Sequence, residues 1–233
     1  MTQLKLYYDL ISQPSRAIYI FLKKNNILFE GKTLNLFQGD HYSSSFESIN
    51  PFKRVPVIDD NGFILTESVA ILRYICQTRP NIPDHYFPKD LKLQARVDEY
   101  LEWQHTNTRI CCANYARQKV FDPLITGKSP NEKSIFNLEK KMINTLNELD
   151  QIWLKNKQFL CGDTLSIADI LATCEIEQTK MSGFDPFVGR SALLQWKFRV
   201  QSFLNPYYDE AHNIIQEMYL KYNKIEKNLQ SNL

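Results

Sequence analysis

Short apolar runs alternate with helix-like apolar clusters in the first third of the chain. Residues 4–10 are mainly aliphatic and tyrosine, which predicts a buried strand. A dense apolar stretch at residues 17–22 predicts a helix, and Pro14 suits its first turn, where a backbone N–H is not needed. Residues 29–37 again resemble a strand. The pattern therefore begins strand, helix, strand.

A hairpin and another helix follow. A strong signal for a β-hairpin turn is Asp60-Asn61-Gly62, which lies between residues 57–59 and Phe63–Thr66. Residues 66–68 then open a helix that continues through apolar positions to residue 75. A β-α-β, loop, β-β-α order is satisfied by a mixed four-stranded sheet with helices packed on it.

Strand patterns disappear after residues 80–89, which contain three prolines and predict a linker. Ser166-Ile167-Ala168-Asp169 resembles a helix capping box, and two further helices fit residues 192–203 and 208–222. Other apolar positions recur at three- and four-residue steps, which is typical of amphipathic helices: Ile135, Leu138, Met142, Leu146, Leu149 and Trp153. We expect an α/β domain at residues 1–80 and an all-α domain at residues 90–233.

Composition narrows the class of protein. The chain has 233 residues, 43% of them hydrophobic, and a formal net charge of +2, which gives no electrostatic reason to expect a nucleic-acid partner. No apolar stretch approaches the length of a membrane span, and the N-terminus lacks the order of a signal peptide. The five cysteines are odd in number and contain no Cys-x-x-Cys pair, which favours reduced thiols in the cytoplasm. We expect no metal.

Four sequence blocks, in order, resemble the theta-class glutathione transferases: residues 8–17, 50–57, 65–72 and 96–101. Residues 165–169 also resemble the capping motif of that family's helical domain. The resemblance implies a thioredoxin-like N-terminal domain, a helical C-terminal domain and a homodimer. It further implies that reduced glutathione, as co-substrate, is conjugated to small electrophiles. Reduction of organic hydroperoxides by glutathione remains open as a second activity.

Ser12 is the candidate catalytic residue. A serine between strand and helix is otherwise a cap, but a hydroxyl there could also stabilise a thiolate. Lowering a thiol pKa from about 8.5 by about two units requires roughly 2.7 kcal/mol, and one charge-assisted hydrogen bond supplies roughly 1.5–3 kcal/mol. Ser15 is a rival hydroxyl, whereas Tyr7 and Tyr8 are expected to be packing residues. No cysteine occupies residues 12–15, which argues against thiol–disulfide exchange.

The resemblance also implies a binding site for each part of glutathione. His41 and Arg54 would contact the glycine carboxylate. Val55, before a cis proline at position 56, would pair its backbone with the cysteinyl unit like an added strand. Glu67 and Ser68 would hold the amino group and carboxylate of the γ-glutamyl unit, although a glutamate in the first turn of a helix also suits the helix dipole.

The site for the second substrate is less specified. His105, Thr106 and Arg109 could line an electrophile pocket, because His105 and Arg109 are four residues apart; an exposed helix face explains them equally well. The stretch after Tyr219 is polar and lysine-rich, so a lid over the pocket stays open as a question. The alternative function is that of a non-catalytic binding protein with the same fold. The complete set of predicted polar contacts to glutathione argues against this alternative.

Overall fold

The N-terminal part of the chain builds a mixed sheet. The computed structural model describes residues 4–230. Its strands lie in the order β2-β1-β3-β4; β1 and β2 are parallel, and the other neighbours are antiparallel. The strands are β1 (Leu4–Tyr8), β2 (Phe29–Thr33), β3 (Val57–Asp60) and β4 (Phe63–Thr66). The predicted mixed four-stranded sheet is confirmed.

Three helices connect and cover these strands. α1 (Gln13–Lys24) is the crossover that a parallel pair such as β1 and β2 requires, and its residues from Ser15 to Leu22 are all buried. The short helix α2 (Ser44–Glu47) precedes β3, and α3 (Ser68–Thr78) follows β4. Because α1 is buried on every side, it packs against the sheet and also against the helices that follow.

The hairpin turn behaves as the sequence predicts. Asn61 and Gly62 both have positive φ, 57° and 91°, as a two-residue turn between twisted strands requires. The Gly62 N–H donates to Asp59 Oδ1 at 2.7 Å, which closes the turn. By contrast, β2 ends at Thr33 rather than at residue 37, because the Leu36 N–H donates to the Asp9 carboxylate instead of continuing the ladder with β1.

The segment between the two parts is packed rather than free. It contains a 3₁₀ turn at Asp84–Tyr86, and both Tyr86 and Phe87 are buried. The Tyr86 ring meets Phe21 of α1 edge to face, with 5.0 Å between ring centroids. This linker therefore anchors the helical part to the sheet domain.

Most of the described residues beyond the linker are helical. Their helix α8 is buried along its whole length, so it forms the centre of this all-α part. The helices are α4 (Leu91–Thr106), α5 (Thr108–Ala116), α6 (Asp122–Thr126), α7 (Glu132–Glu148), α8 (Ile167–Glu177), α9 (Ser191–Leu204) and α10 (Tyr207–Gln230). Across residues 4–230, no helix has both the length and the apolar character to cross a membrane.

The predicted capping box of α8 is confirmed. The Ser166 N–H and hydroxyl both donate to Asp169 Oδ2, at 2.9 and 3.0 Å. Asp169 Oδ1 accepts from the Leu160 N–H at 2.9 Å and from the Trp196 indole at 2.8 Å. Burial raises the pKa of this carboxyl, and the four donors oppose the rise. The box thus also ties α8 to α9 and to the preceding loop.

The placement of His105 and Arg109 on one helix face is wrong. The helix breaks at Asn107, whose φ and ψ are −117° and −96°, so His105 lies in α4 and Arg109 in α5. The Asn107 amide donates to the Trp103 carbonyl at 2.8 Å, replacing a backbone donor and favouring a helix end at this position. The four-residue spacing that would place His105 and Arg109 on one face of a continuous helix therefore does not apply across this junction.

Candidate active site

The loop between β1 and α1 is held by its own first residue. The Asp9 carboxylate accepts from the Ile11 N–H and from the Leu36 N–H, both at 3.0 Å. The Ser12 N–H donates to the Asp9 carbonyl at 3.0 Å. These bonds fix the approach to α1 and join it to the segment after β2.

The helical part also fixes this loop, through Arg16. Arg16 is fully buried, and its Nη1 donates to the carbonyls of Leu10 and Ile11 at 2.8 and 3.3 Å. Its Nη2 donates to the Cys174 carbonyl at 2.9 Å and to Gln178 Oε1 at 2.5 Å. Gln178 Nε2 in turn donates to the Ile11 carbonyl at 3.2 Å. Two side chains, one from each part, therefore position the residue immediately before Ser12.

Ser12 lies at the N-terminus of α1. Among the described residues, its side chain caps no backbone N–H of the helix, although its φ and ψ are those of an N-cap. The hydroxyl borders a cavity of about 740 Å³. The rival Ser15 is fully buried inside α1, and its Oγ has no partner within residues 4–230. Ser12 is therefore the hydroxyl with access to a ligand.

The two tyrosines before the loop are packing residues. Tyr8 stacks on Tyr19 with 5.5 Å between ring centroids, and Tyr7 meets Phe46 at 6.1 Å. Neither lines the Ser12 cavity. Their placement agrees with the interpretation from the sequence.

A second cavity, of about 230 Å³, adjoins the first. It shares Pro14 and Arg54 with the larger cavity. Its lining gathers four of the predicted ligand contacts and one unexpected cation: Arg54, Val55, Glu67, Ser68 and Arg109. The predicted cis bond between Val55 and Pro56 is confirmed.

Glu67 and Ser68 are held at the start of α3 by unusual local geometry. Glu67 has a φ of 67°, which is uncommon for a residue with a Cβ and is found mainly where a site constrains the backbone. Its side chain is exposed, whereas Ser68 is 1% exposed. Thus one residue can reach a ligand's cation from the rim, while the other lies at the base of the cavity.

Arg109 belongs to this smaller cavity and not to the larger one. Its Nη2 donates to Ser68 Oγ at 2.8 Å, and its Nε lies 3.5 Å from Glu175 Oε1 in α8. His105 and Thr106 are exposed at the end of α4 and line neither cavity. The structure thus separates the three residues that the sequence grouped.

His41 borders the larger cavity, at a 3₁₀ turn that spans Asp40–Tyr42. Burial lowers the pKa of His41, and the negative charges of Asp40 and Asp9 oppose that only in part. Its Nδ1 has no partner within residues 4–230. At neutral pH His41 therefore offers a hydrogen bond more than a full positive charge.

The opposite wall of the larger cavity comes from a segment for which the sequence predicted no role. A π-helical turn at Arg117–Phe121 leads into α6, and Phe121 meets Phe37 with 6.0 Å between ring centroids. Arg117 Nε lies 3.5 Å from Asp122 Oδ1, and Ile125 completes the wall. In the sequence, this wall is indicated only by a basic residue followed by apolar positions that do not keep the regular period of an α-helix. A π-turn interrupts that period, and such turns are frequent at functional sites.

Comparison with known proteins gives this arrangement its family. A family model described as the N-terminal domain of glutathione S-transferase matches residues 3–77, and one for the C-terminal domain matches residues 113–202. Glutathione S-transferase theta-1 of Homo sapiens is 41% identical over 91% of this chain and 88% of its own length. Theta-1 of Mus musculus is 44% identical over the same shares of each chain.

A solved human structure shows the same likeness in three dimensions. It is a theta-class glutathione transferase in complex with the glutathione conjugate of 1-menaphthyl sulfate. It has a TM-score of 0.91 and 38% identity, covering 98% of this chain and 92% of that one. A thioredoxin-like sheet domain joined to a helical domain is the architecture of glutathione transferases.

This chain belongs to the theta class of glutathione S-transferases. It conjugates glutathione to electrophiles, and glutathione is its co-substrate. Within the described part of the chain, no three His, Cys, Asp or Glu side chains converge into a metal-binding group.

Proposed function

We propose that reduced glutathione lies across the two cavities with its sulfur at Ser12. The γ-glutamyl unit occupies the smaller cavity, with its amino group at Glu67 and its carboxylate at Ser68. The cysteinyl backbone pairs with Val55, and the glycine carboxylate lies between Arg54 and His41. Support comes from the shared lining of the cavities, since Arg54 borders both of them.

The single observation that carries the catalytic assignment is that Ser12 lines the larger cavity and that, within residues 4–230, its hydroxyl caps no helix N–H. A hydroxyl that caps no helix N–H can donate to a bound sulfur. The N-terminus of α1 adds a favourable dipole for the thiolate, worth about 0.3–1 kcal/mol. Together with one charge-assisted hydrogen bond of roughly 1.5–3 kcal/mol, this lowers the thiol pKa by about one to three units. The thiolate then forms a bond from sulfur to carbon of the electrophile while the bond to the leaving group breaks, or while a strained ring or multiple bond of the electrophile opens and takes up a proton. Ser12 forms no covalent bond.

Replacing Ser12 by alanine tests this assignment. We expect Ser12→Ala to raise the pKa of the bound thiol by about one to two units, because the hydrogen bond to the thiolate is lost. Turnover at pH 7 should fall about ten- to a hundredfold and recover in part toward pH 9. Glutathione affinity should change little, since the other contacts remain. Thiolate absorbance near 240 nm against pH, with pH–rate profiles, measures both effects.

Ser15→Ala is the matched control. Ser15 is buried and its hydroxyl has no partner in residues 4–230, so its removal should leave the thiol pKa at the wild-type value. An unchanged thiol pKa in Ser12→Ala would refute the role of Ser12, whichever way the control behaves.

The electrophile occupies the part of the larger cavity beyond Ser12. The rings of Phe37 and Phe121 and the side chain of Ile125 form its apolar wall, which suits small apolar electrophiles. Organic hydroperoxides are a second candidate class of substrate: the thiolate attacks the terminal oxygen, the O–O bond breaks, and the alcohol leaves after taking up a proton. A second glutathione then reduces the resulting sulfenic form, giving glutathione disulfide and water. A panel of alkyl halides, epoxides, isothiocyanates and cumene hydroperoxide distinguishes the two activities. If the enzyme conjugates the other compounds but shows no turnover of cumene hydroperoxide, the peroxidase activity is excluded.

A homodimer in the cytoplasm completes the proposal. The edge strand β4 exposes two apolar side chains, Phe63 at 49% and Ile64 at 39%, which a partner subunit could cover. The five cysteines form no disulfide in the described structure, as expected for a reducing compartment.

A further inference from the structure

Glu175 is a buried carboxyl group directly behind the smaller cavity. It lies in the middle of α8 and is 1% exposed. Its ion-pair partner among the described residues is Arg109, whose Nε is 3.5 Å from Glu175 Oε1. The same guanidinium donates through Nη2 to Ser68 Oγ at 2.8 Å and borders the cavity. Arg109 therefore stands between an internal carboxyl and the position proposed for the ligand's carboxylate.

Apart from Arg109, the titratable groups next to Glu175 carry no charge near pH 7. The titratable groups that face it are Tyr100 of α4, Cys112 of α5 and its own neighbour Cys174. Burial raises the pKa of each of these groups above its ordinary value, so all three are neutral near pH 7. Burial also raises the pKa of Glu175 to about 8, and Arg109 opposes that rise only in part.

The amide of Gln104 can serve either charge state of this carboxyl. Gln104 is fully buried in α4. With its amide nitrogen toward Glu175, it donates to both carboxyl oxygens, at 3.1 and 2.8 Å. With the amide turned over, its oxygen accepts from a protonated Glu175 instead. The site thus accommodates the gain or loss of one proton without a change in packing.

We propose that Glu175 and the γ-glutamyl carboxylate of glutathione compete for Arg109, so that glutathione binds the form of the enzyme with Glu175 protonated. The inference rests on the proposed placement of the γ-glutamyl unit at Ser68. When Glu175 is ionised, it neutralises Arg109, and the ligand brings a second negative charge to one cation. When Glu175 is protonated, Arg109 is free to pair with the ligand. Glu175 is accordingly a positioning residue that acts through Arg109.

Proton linkage fixes the direction and size of the effect. Ligand binding that prefers protonated Glu175 is strongest below the pKa of Glu175 in the free enzyme and weakens as pH rises through it. With that pKa at about 8, Glu175 is almost wholly protonated at pH 6.5 and mostly ionised at pH 9. Affinity should therefore fall about tenfold between these pH values through this group alone.

The test compares wild type with Glu175→Gln, using S-methylglutathione as the probe because it has no thiol to titrate. Dissociation constants are measured by calorimetry from pH 6.5 to pH 9. At pH 6.5 the two proteins should bind within about twofold of each other. At pH 9 the variant should bind about tenfold more tightly than wild type, since glutamine cannot ionise. Titration of the ligand's own amine affects both proteins equally and cancels in the ratio.

Glu177→Gln provides the matched control. Glu177 is a second buried glutamate of α8, but it accepts from Lys180 at 2.9 Å and from Tyr208 at 2.7 Å, away from Arg109. The dissociation constant of Glu177→Gln should depend on pH in the same way as that of wild type. Parallel curves for Glu175→Gln and wild type would overturn the proposal. So would a variant that is weaker by one constant factor at every pH, because that result indicates a purely structural role.

A second measurement needs only the wild-type enzyme, in case the variant does not fold. Binding enthalpies in buffers of different ionisation enthalpy give the protons taken up, and we expect about half a proton at pH 8. Uptake of less than about a tenth of a proton there would overturn the proposal. Failure of wild type to bind S-methylglutathione at any pH would instead refute the placement of glutathione itself, and with it this inference.

Discussion

Arg16 is the side chain whose loss should affect fold and catalysis together. It is fully buried, and it donates to four acceptors at 2.5–3.3 Å, two in the loop before Ser12 and two in the helical part. Hydrogen bonds from a charged donor contribute roughly 1.5–3 kcal/mol each, and the desolvation of the guanidinium offsets much of their sum. We expect Arg16→Met to lower the free energy of unfolding by about 3 kcal/mol. For a chain of this size that corresponds to about 6–12 °C in Tm.

Catalysis should fall by more than the loss of stability explains. Without Arg16, the bond from Gln178 is the only one that the Ile11 carbonyl keeps among the described residues, so the backbone that carries Ser12 is less well positioned. We expect kcat to drop about tenfold or more at temperatures where the variant is fully folded, because a small displacement of a reacting group is costly. Arg16→Lys should lie between wild type and Arg16→Met, since one ammonium cannot reach acceptors on both sides.

Urea unfolding and single-temperature kinetics measure these two effects. Arg96→Gln is the control, because Arg96 is exposed and its pair with Glu99 spans one turn of α4. That change should leave both the free energy of unfolding and kcat close to the wild-type values. If Arg16→Met unfolds at the same urea concentration as Arg96→Gln, the reasoning about the buried guanidinium is wrong.

Two further predictions concern the ligand and the assembly. Arg54→Met should raise the KM for glutathione about three- to tenfold with kcat nearly unchanged, as loss of a solvent-accessible charge-assisted contact implies. Glutathione esterified at its glycine carboxylate should be insensitive to that change, and equal sensitivity of both ligands would contradict the assignment. Light scattering at micromolar concentration should give twice the chain mass of 27.4 kDa, and a single-chain mass would rule out the homodimer.

Much of the fold follows from local sequence. The hairpin depends on Asn61 and Gly62, which adopt positive φ readily, and the start of α8 depends on the capping box formed by Ser166 and Asp169. The position of Ser12 at the opening of α1 follows from a strand, a short loop and Pro14 in the first turn of the helix. Each of these features is determined by residues that are neighbours along the chain, so their pattern is visible without the tertiary structure.

What tertiary structure alone decided is which distant residues share a cavity. Arg109 donates to Ser68 across 41 positions in sequence, although spacing had suggested a partnership with His105. Because the helix breaks at Asn107, Arg109 lies in α5 and not on the face of α4 that carries His105. The packing of α5 on α8 then brings Glu175 next to Arg109. Periodicity identifies the buried face of a helix, but it does not identify the element that covers that face, because many partners would bury the same apolar area. For that reason the sequence supplied Ser12 as the candidate for thiol activation, and only the packed helices revealed the ion pair between Arg109 and Glu175 behind the smaller cavity.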